Sequence, residues 1–311
     1  VYFLETECLG KGDERCRVLA HFEPEWGEEA DWVRMAMKAG TLDEELADAE
    51  RRVALAQKKA RQAQLKLNAL TSRVRGELLF NDVVAQSEAM KVVMARAEQV
   101  SVSEIPVLLV GENGVGRKTL ARAIHFGGGR KGAPFEVLDL SGMDNRLILQ
   151  ELVGFAAGAF QGAVRGHTGA IQRAHRGTLY IQDLADLEQE AQRAVFHMLE
   201  RNAVTGLGNS PREDVSVRLI AATSREPREL LQEGRLREDL YYALSVARID
   251  IPPLRERGSD VARMADAFVR EFAEVHERTN LTLSRECVQV LQECTWPGNV
   301  RQLRNVLEQA V

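Results

Sequence analysis

The chain has 311 residues, 45% hydrophobic and 28% charged, which fits a folded protein of about two domains. Its formal net charge of -5 gives no sign of a strongly basic nucleic-acid surface, and it has no apolar run of the roughly 18 residues that a membrane helix needs. Four cysteines (Cys8, Cys16, Cys287, Cys294) are too few for a disulfide scaffold and no signal peptide is read, so a reducing cytoplasm is expected.

The chain opens at Val1 inside a strand-like run and is read as a fragment of something longer. Residues 1–40 alternate early, turn at Gly10-Lys11-Gly12-Asp13 and resume at Cys16-Arg17-Val18-Leu19, the pattern of a hairpin. Cys8 and Cys16 face each other across that turn, with Glu5 just upstream. Three such ligands make an incomplete tetrahedral metal site. The alternative is two half-buried thiols and a surface glutamate.

Residues 41–78 carry an apolar seam. Leu42, Leu46, Ala49, Val53, Ala56, Ala60, Ala63, Leu67, Leu70 and Val74 recur at spacings of four and three, with Glu, Lys, Arg and Gln between them. That periodicity predicts a coiled coil, with a single amphipathic helix lying on a neighbouring domain as the alternative.

Residues 79–250 read as a parallel sheet with helices on both faces. Strand patterns occur at 107–110, 135–140, 178–182 and 217–222, and helical segments separate them. The stretch VLLVGENGVGRKT at 107–119 joins a strand to a helix through Gly111, Glu112, Asn113, Gly114, Val115 and Gly116, which is the layout of a phosphate-binding loop. The usual pattern is G-x-x-x-x-G-K-[ST]. Here Arg117 follows Gly116, and Lys118 and Thr119 come one place late. A guanidinium is planar and bulky where the pattern has a compact ammonium. Lys118 cannot take over in register and is left for outer phosphate oxygens.

Residues 251–311 are predicted helical. Val261, Met264, Ala265, Phe268, Phe272 and Val275 share a stripe over 260–275; Ser284 caps a second helix backed by Val288, Leu291 and Cys294; Pro297-Gly298 breaks it before a third. Cys287 and Cys294 read as core thiols.

Several blocks in order resemble the AAA+ domain of sigma-54-dependent transcription activators. After the phosphate loop come Glu151-Leu152-Val153-Gly154 and Gly158-Ala159-Phe160-Gln161-Gly162-Ala163, similar to ELFG and GAFTGA. Gly177 to Asp183 resembles GTLFLDE, residues 218–224 resemble RIIAATN, and residues 236–244 resemble FREDLYYRL. PPLRER and WPGNVR occur unchanged, at 252–257 and 296–301. The N-terminal stretch resembles the end of the vinyl-4-reductase-type sensor domain of the phenol and xylene regulators in that family. The resemblance implies an α/β fold: an AAA+ parallel-sheet core at 79–250 with a helical lid at 251–311, preceded by a coiled-coil linker at 41–78 and the end of a sensor domain at 1–40.

It also implies roles, several of them on altered residues. Gln182 stands where an aspartate orients magnesium, and an amide is a poor magnesium partner. Asp183 stands where a glutamate polarises the attacking water, one methylene short of it. Because strand side chains alternate, Asp183 is not expected to serve as the metal aspartate instead. Asp139 replaces an asparagine that restrains that glutamate, Ser224 replaces another asparagine, and of two arginines that reach a neighbouring subunit's site Arg237 remains while the second is Ala243. Arg301 is the lid residue that contacts nucleotide. Phe160 matches the aromatic contact to the sigma factor, Gln161 replaces its threonine, and Phe155 replaces a histidine. Glu5, Cys8 and Cys16 match zinc ligands, with a fourth expected before Val1.

Altered residues at so many catalytic places, amid intact structural blocks, lead to a transcription regulator that binds ATP or ADP weakly, with magnesium or without it, and hydrolyses it little or not at all. Nucleotide or effector then sets its oligomeric state, as a dimer through the linker or a hexameric ring. Two alternatives fit the resemblance: an active ATPase that remodels sigma-54 RNA polymerase, and an inactive subunit that co-assembles with an active paralogue. DNA and an aromatic effector are expected to bind through domains outside residues 1–311, and no membrane partner is expected.

Overall fold

A computed structural model of the chain describes residues 2–7, 17–21, 79–140, 142–278 and 281–311. The chain divides into two compact units, Val1–Arg75 and Gly76–Val311. In the first, β1 (Tyr2–Glu7) pairs antiparallel with β2 (Arg17–His21), with Tyr2 opposite His21 and a register shift between Glu5 and Glu7. The hairpin expected there forms. Cys8, Cys16, the Glu5 side chain and the coiled-coil seam lie outside the described residues.

In the second unit Ser87 caps α1 (Glu88–Ser101), its hydroxyl accepting from the Met90 N–H. Then come β3 (Val107–Val110), the phosphate loop and α2 (Arg117–Phe126). Next are β4 (Phe135–Leu138), α3 (Asn145–Val153), the one-turn α4 (Ala170–Arg173), β5 (Thr178–Ile181) and α5 (Gln189–Arg201). A short antiparallel ribbon of β6 (Ala203–Thr205) and β7 (Arg212–Asp214) precedes β8 (Arg218–Thr223). Helices α6 (Pro227–Gln232) and α7 (Glu238–Leu244) lead to β9 (Arg248–Asp250). The lid holds α8 (Gly258–Val275), α9 (Arg285–Glu293) and α10 (Asn299–Ala310).

The main sheet is parallel, in the order β4-β5-β8-β3-β9. β3, β5 and β8 are buried along their whole length, in keeping with their largely apolar sequences VLLV, TLYI and RLIAAT. One face (Leu108, Leu179, Ile181, Leu219, Ala221) packs on α3 to α7; the other (Leu109, Tyr180, Ile220, Ile249) packs on α1 and α2. Three residues of β9 carry too little pattern to be read from sequence, and β6 and β7 are equally short.

The lid has its own core, built on Leu254, Val261, Met264, Phe272, Leu291, Trp296 and Leu303. The Ser284 cap is present, accepting from the Cys287 N–H at 3.2 Å. The cysteines are not core thiols: both are exposed. On α9 the buried stripe is carried by Leu291, which leaves Cys287 off that stripe, and Cys294 follows the last helical residue. Val275 is likewise 69% exposed, in the final turn of α8. Among the described residues no helix is long and apolar enough to cross a membrane.

Candidate functional site

Strand register places the site. Val110 of β3 pairs with Thr223 of β8, and Ile181 of β5 pairs with Ala221. The phosphate loop, Ser224 and the pair Gln182-Asp183 therefore leave the sheet together at its carboxyl edge, where a ligand of such a sheet binds.

Gly116 caps α2 with φ at 104°, a left-handed turn that aims the first N–H groups of the helix into the loop. The lid closes on this loop directly. Val300 N–H donates to the Gly114 carbonyl at 3.0 Å. Asn299, fully buried, donates through Nδ2 to Glu112 Oε2 and to the Asn113 carbonyl, both at 3.0 Å, while its Oδ1 accepts from the Leu254 N–H at 2.8 Å. Glu112 also pairs with Arg255 at 2.7 Å, and hydrogen bonds from Arg255 and Asn299 hold its carboxyl below the ordinary value. Val115 is buried in the core beneath α2. Of the expected loop residues, Asn113, Gly114, Gly116, Arg117, Lys118 and Thr119 line the cleft, while Glu112 and Val115 scaffold it.

That cleft has a volume of about 640 Å³, with Tyr180, Gln182, Asp183 and Asp186 on the sheet side and Val300, Arg301 and Arg304 on the lid side. Arg117 does not point out of it. Its Nη1 donates to Asp183 Oδ2 at 3.2 Å and its Nη2 to Asn113 Oδ1 at 2.8 Å, and both Arg117 and Asp183 are 9% exposed. Asp183 Oδ2 also accepts from the Ser224 N–H at 3.1 Å, and Oδ1 from the Ala185 N–H at 3.3 Å. Ser224 thus reaches Asp183 through its backbone.

Strand alternation does not extend to Asp183. β5 ends at Ile181, a bend follows, and Gln182 and Asp183 both line the cleft. Asp139 is exposed beyond β4 and does not line the cleft. Partial loss of hydrating water against the cleft wall, with the like charge of Asp183 behind it, pushes the Asp186 carboxyl up, although the residue as a whole stays exposed. Burial also raises the Tyr180 phenol, which the Asp183 and Asp139 carboxylates raise further.

Several residues of the site were not singled out from sequence, Asn299, Asp186 and Arg304 among them. Asn299 stands inside WPGNVR, but its role depends on a left-handed backbone (φ 51°) that no pattern announces. Asp186 ends the short helical turn Leu184–Asp186 that comes after β5. Arg304 was the more legible, since it falls three residues after Arg301 on the same helical face. It pairs with Glu271 at 3.1 Å and lies over the rings of Phe268 and Phe272. Arg237 does not line this cleft; it is held by Asp239 at 2.6 Å on the cap of α7.

The segment 155–167 forms a compact excursion. Phe155 and His167 exchange backbone hydrogen bonds at its base, and the Ala156 N–H donates to the Leu207 carbonyl. Gly158 (φ 79°) and Gly162 (φ 103°) turn the tip, closed by a 2.7 Å bond from the Gly158 N–H to the Ala163 carbonyl. Phe160 folds edge-on against Phe155 at 4.9 Å and remains 39% exposed. Gln161 is exposed at the tip, Ala159 is half-buried and Ala163 is buried.

Among the described residues no group of three or more His, Cys, Asp or Glu side chains could hold a metal ion.

Comparison with known proteins adds a family. The sigma-54 interaction domain matches residues 83–250 and the AAA+ ATPase lid domain matches residues 255–311. The phenol regulator MopR of Acinetobacter guillouiae is 35% identical over all of this chain and 53% of its own length. The transcriptional regulatory protein XylR of Pseudomonas putida is 29% identical over all of this chain and 52% of its own. The chain thus spans about half the length of these relatives. Among solved structures, NtrX from Brucella abortus in complex with ADP superposes with a TM-score of 0.69 at 29% identity, covering 84% of this chain and 58% of that one. The same protein in complex with ATP gives 0.69, covering 80% and 54%.

Proposed function

The chain belongs to the sigma-54-dependent transcription activators, whose aromatic-responsive members match it from end to end, and from that premise we propose a regulator that uses nucleotide as a ligand and does not turn it over. The observation that carries this reading is the Arg117–Asp183 ion pair beside Gln182.

Hydrolysis needs a carboxylate free to polarise water and an anionic anchor for magnesium. Asp183 already accepts from Arg117, Ser224 and Ala185. Its charge is neutralised by a guanidinium that is itself nearly buried. The neighbouring side chain that would anchor the metal is an amide. The loop, in contrast, keeps its glycines and its helix N-terminus, which bind phosphate without any of this chemistry.

Bound nucleotide then acts through the lid. Arg301 on α10 and Lys118 on α2 face the same cleft, so phosphates between them strengthen the closure that Asn299 begins. In this account residues 79–250 are the nucleotide-binding core and 251–311 the lid of a cytoplasmic regulator. Residues 41–78 pair two chains, and residues 1–40 end a sensor domain with zinc on Glu5, Cys8 and Cys16. The loop carrying Phe160 is the part offered to sigma-54 polymerase. An aromatic effector and DNA bind outside the residues in hand, and ring assembly follows nucleotide.

Crystals grown with magnesium and a non-hydrolysable ATP analogue test the reading. It expects no magnesium ordered beside Gln182 and no water in line beside Asp183. An ordered magnesium and an in-line water on Asp183 overturn it.

A further inference from the structure

We infer that the cleft is a receptor for nucleoside diphosphates, taken without a divalent cation, and that it discriminates against triphosphates. This deepens the reading above and rests on it. The geometry that carries it is the path of Arg117. The residue at its place in a phosphate loop reaches the β- and γ-phosphates. Here the guanidinium spans from Asn113 to Asp183 and closes the far end of the cradle.

A diphosphate fits the loop with that bridge intact. It takes the N–H groups at the head of α2, and Lys118 and Arg301 supply positive charge from two sides of the cleft. A third phosphate has to displace Arg117 from Asp183. That leaves a nearly buried carboxylate without its counter-charge, facing the incoming oxygens. Asp186 adds a second carboxylate on the same wall. Magnesium ordinarily resolves such a conflict, but its anchoring position holds Gln182. The intact Arg117–Asp183 bridge therefore favours the shorter ligand, and Gln182 gives the metal no anionic anchor through which to strengthen its hold.

Isothermal titration of the 311-residue chain with ADP and with ATP, each in magnesium and in EDTA, tests this. ADP is expected to bind at least about tenfold more tightly than ATP, with the same affinity in EDTA as in magnesium. The near-isosteric Asp183→Asn variant, checked for folding by its thermal melt, is expected to bring ATP up to within about threefold of ADP. If it does not fold, the wild-type ratio decides alone. ATP binding as tightly as ADP, or ADP needing magnesium, overturns the inference while leaving a non-hydrolysing regulator standing. Binding of neither nucleotide overturns both.

Discussion

Gly114 of the phosphate loop and Gly298 of the lid pass so close that a Cβ on Gly114 would lie 2.3 Å from the Gly298 carbonyl oxygen. Gly114 is also left-handed, with φ at 83°. Core and lid are therefore joined through bare backbone at the point where phosphate is expected. Gly114→Ala should strain the turn and push the lid off the loop, costing about 2 kcal/mol or more. A lower urea midpoint and a loss of nucleotide affinity are the expected readings; an unchanged midpoint contradicts this contact.

Asn299 should behave as a hub. Its side chain makes three hydrogen bonds with no exposure to water. Asn299→Ala strands the Leu254 N–H and the Asn113 carbonyl, and should cost about 2–3 kcal/mol. Asn299→Asp sets a second carboxylate beside Glu112 and should cost more. Denaturant unfolding of the two variants checks the order, and Asp proving the milder change argues against the hub.

A buried ion pair ties the segment before α1 to the lid. Arg257 donates to Asp260 at 2.9 Å and to the Val84 and Val115 carbonyls, while Asp260 accepts from the Ser87 hydroxyl and N–H, both at 2.8 Å. Burial pushes the Asp260 carboxyl up, but the bonds from Ser87, Arg257 and Gln86 outweigh it and hold the group below its ordinary value. A carboxyl depressed on folding adds stability above its unfolded value and loses it as pH falls further. Asp260→Ala leaves Arg257 buried and unpaired, and should cost about 3–5 kcal/mol. The variant's melt should also depend less on pH below about 4 than the wild type's. A parallel pair of curves counts against this role for Asp260.

His125 should dominate a second pH window. It is fully buried, its Nδ1 is 2.8 Å from Thr178 Oγ1, and its Nε2 has no partner. Burial lowers the imidazole to about 4. The unfolded chain therefore binds the proton first, and stability falls as pH drops from about 6.5 towards 4. The loss by pH 5 should be about 2 kcal/mol relative to pH 7. Urea midpoints at the two pH values, compared with His125→Asn, check it; an equal slope in the variant assigns the window elsewhere.

What was legible and what was not follow from distance along the chain. The strand, glycine turn and helix around Gly111 to Thr119 are local, and so are the Ser284 cap and the stripe from Val261 to Phe272; all of these formed. Gln182 and Asp183 stood out because their positions are defined by an adjacent strand. The partner of Arg117 did not, because Asp183 is remote in sequence and the choice between phosphate and carboxylate is made by the folded cleft. Alternation could not place Asp183, because it holds only while the strand lasts, and β5 stops at Ile181. Cys287 and Cys294 were misplaced because α9, on the rim, buries one narrow stripe, and residues beside that stripe or just past the helix end lie off it.

Steady-state phosphate release from saturating magnesium-ATP tests the central claim most directly, run beside the triple variant Arg117→Lys, Gln182→Asp, Asp183→Glu. The account predicts a wild-type turnover below about 0.01 per second, two decades under the low end of ordinary enzyme rates, and a faster triple variant. Wild-type release at about 1 per second or faster contradicts it.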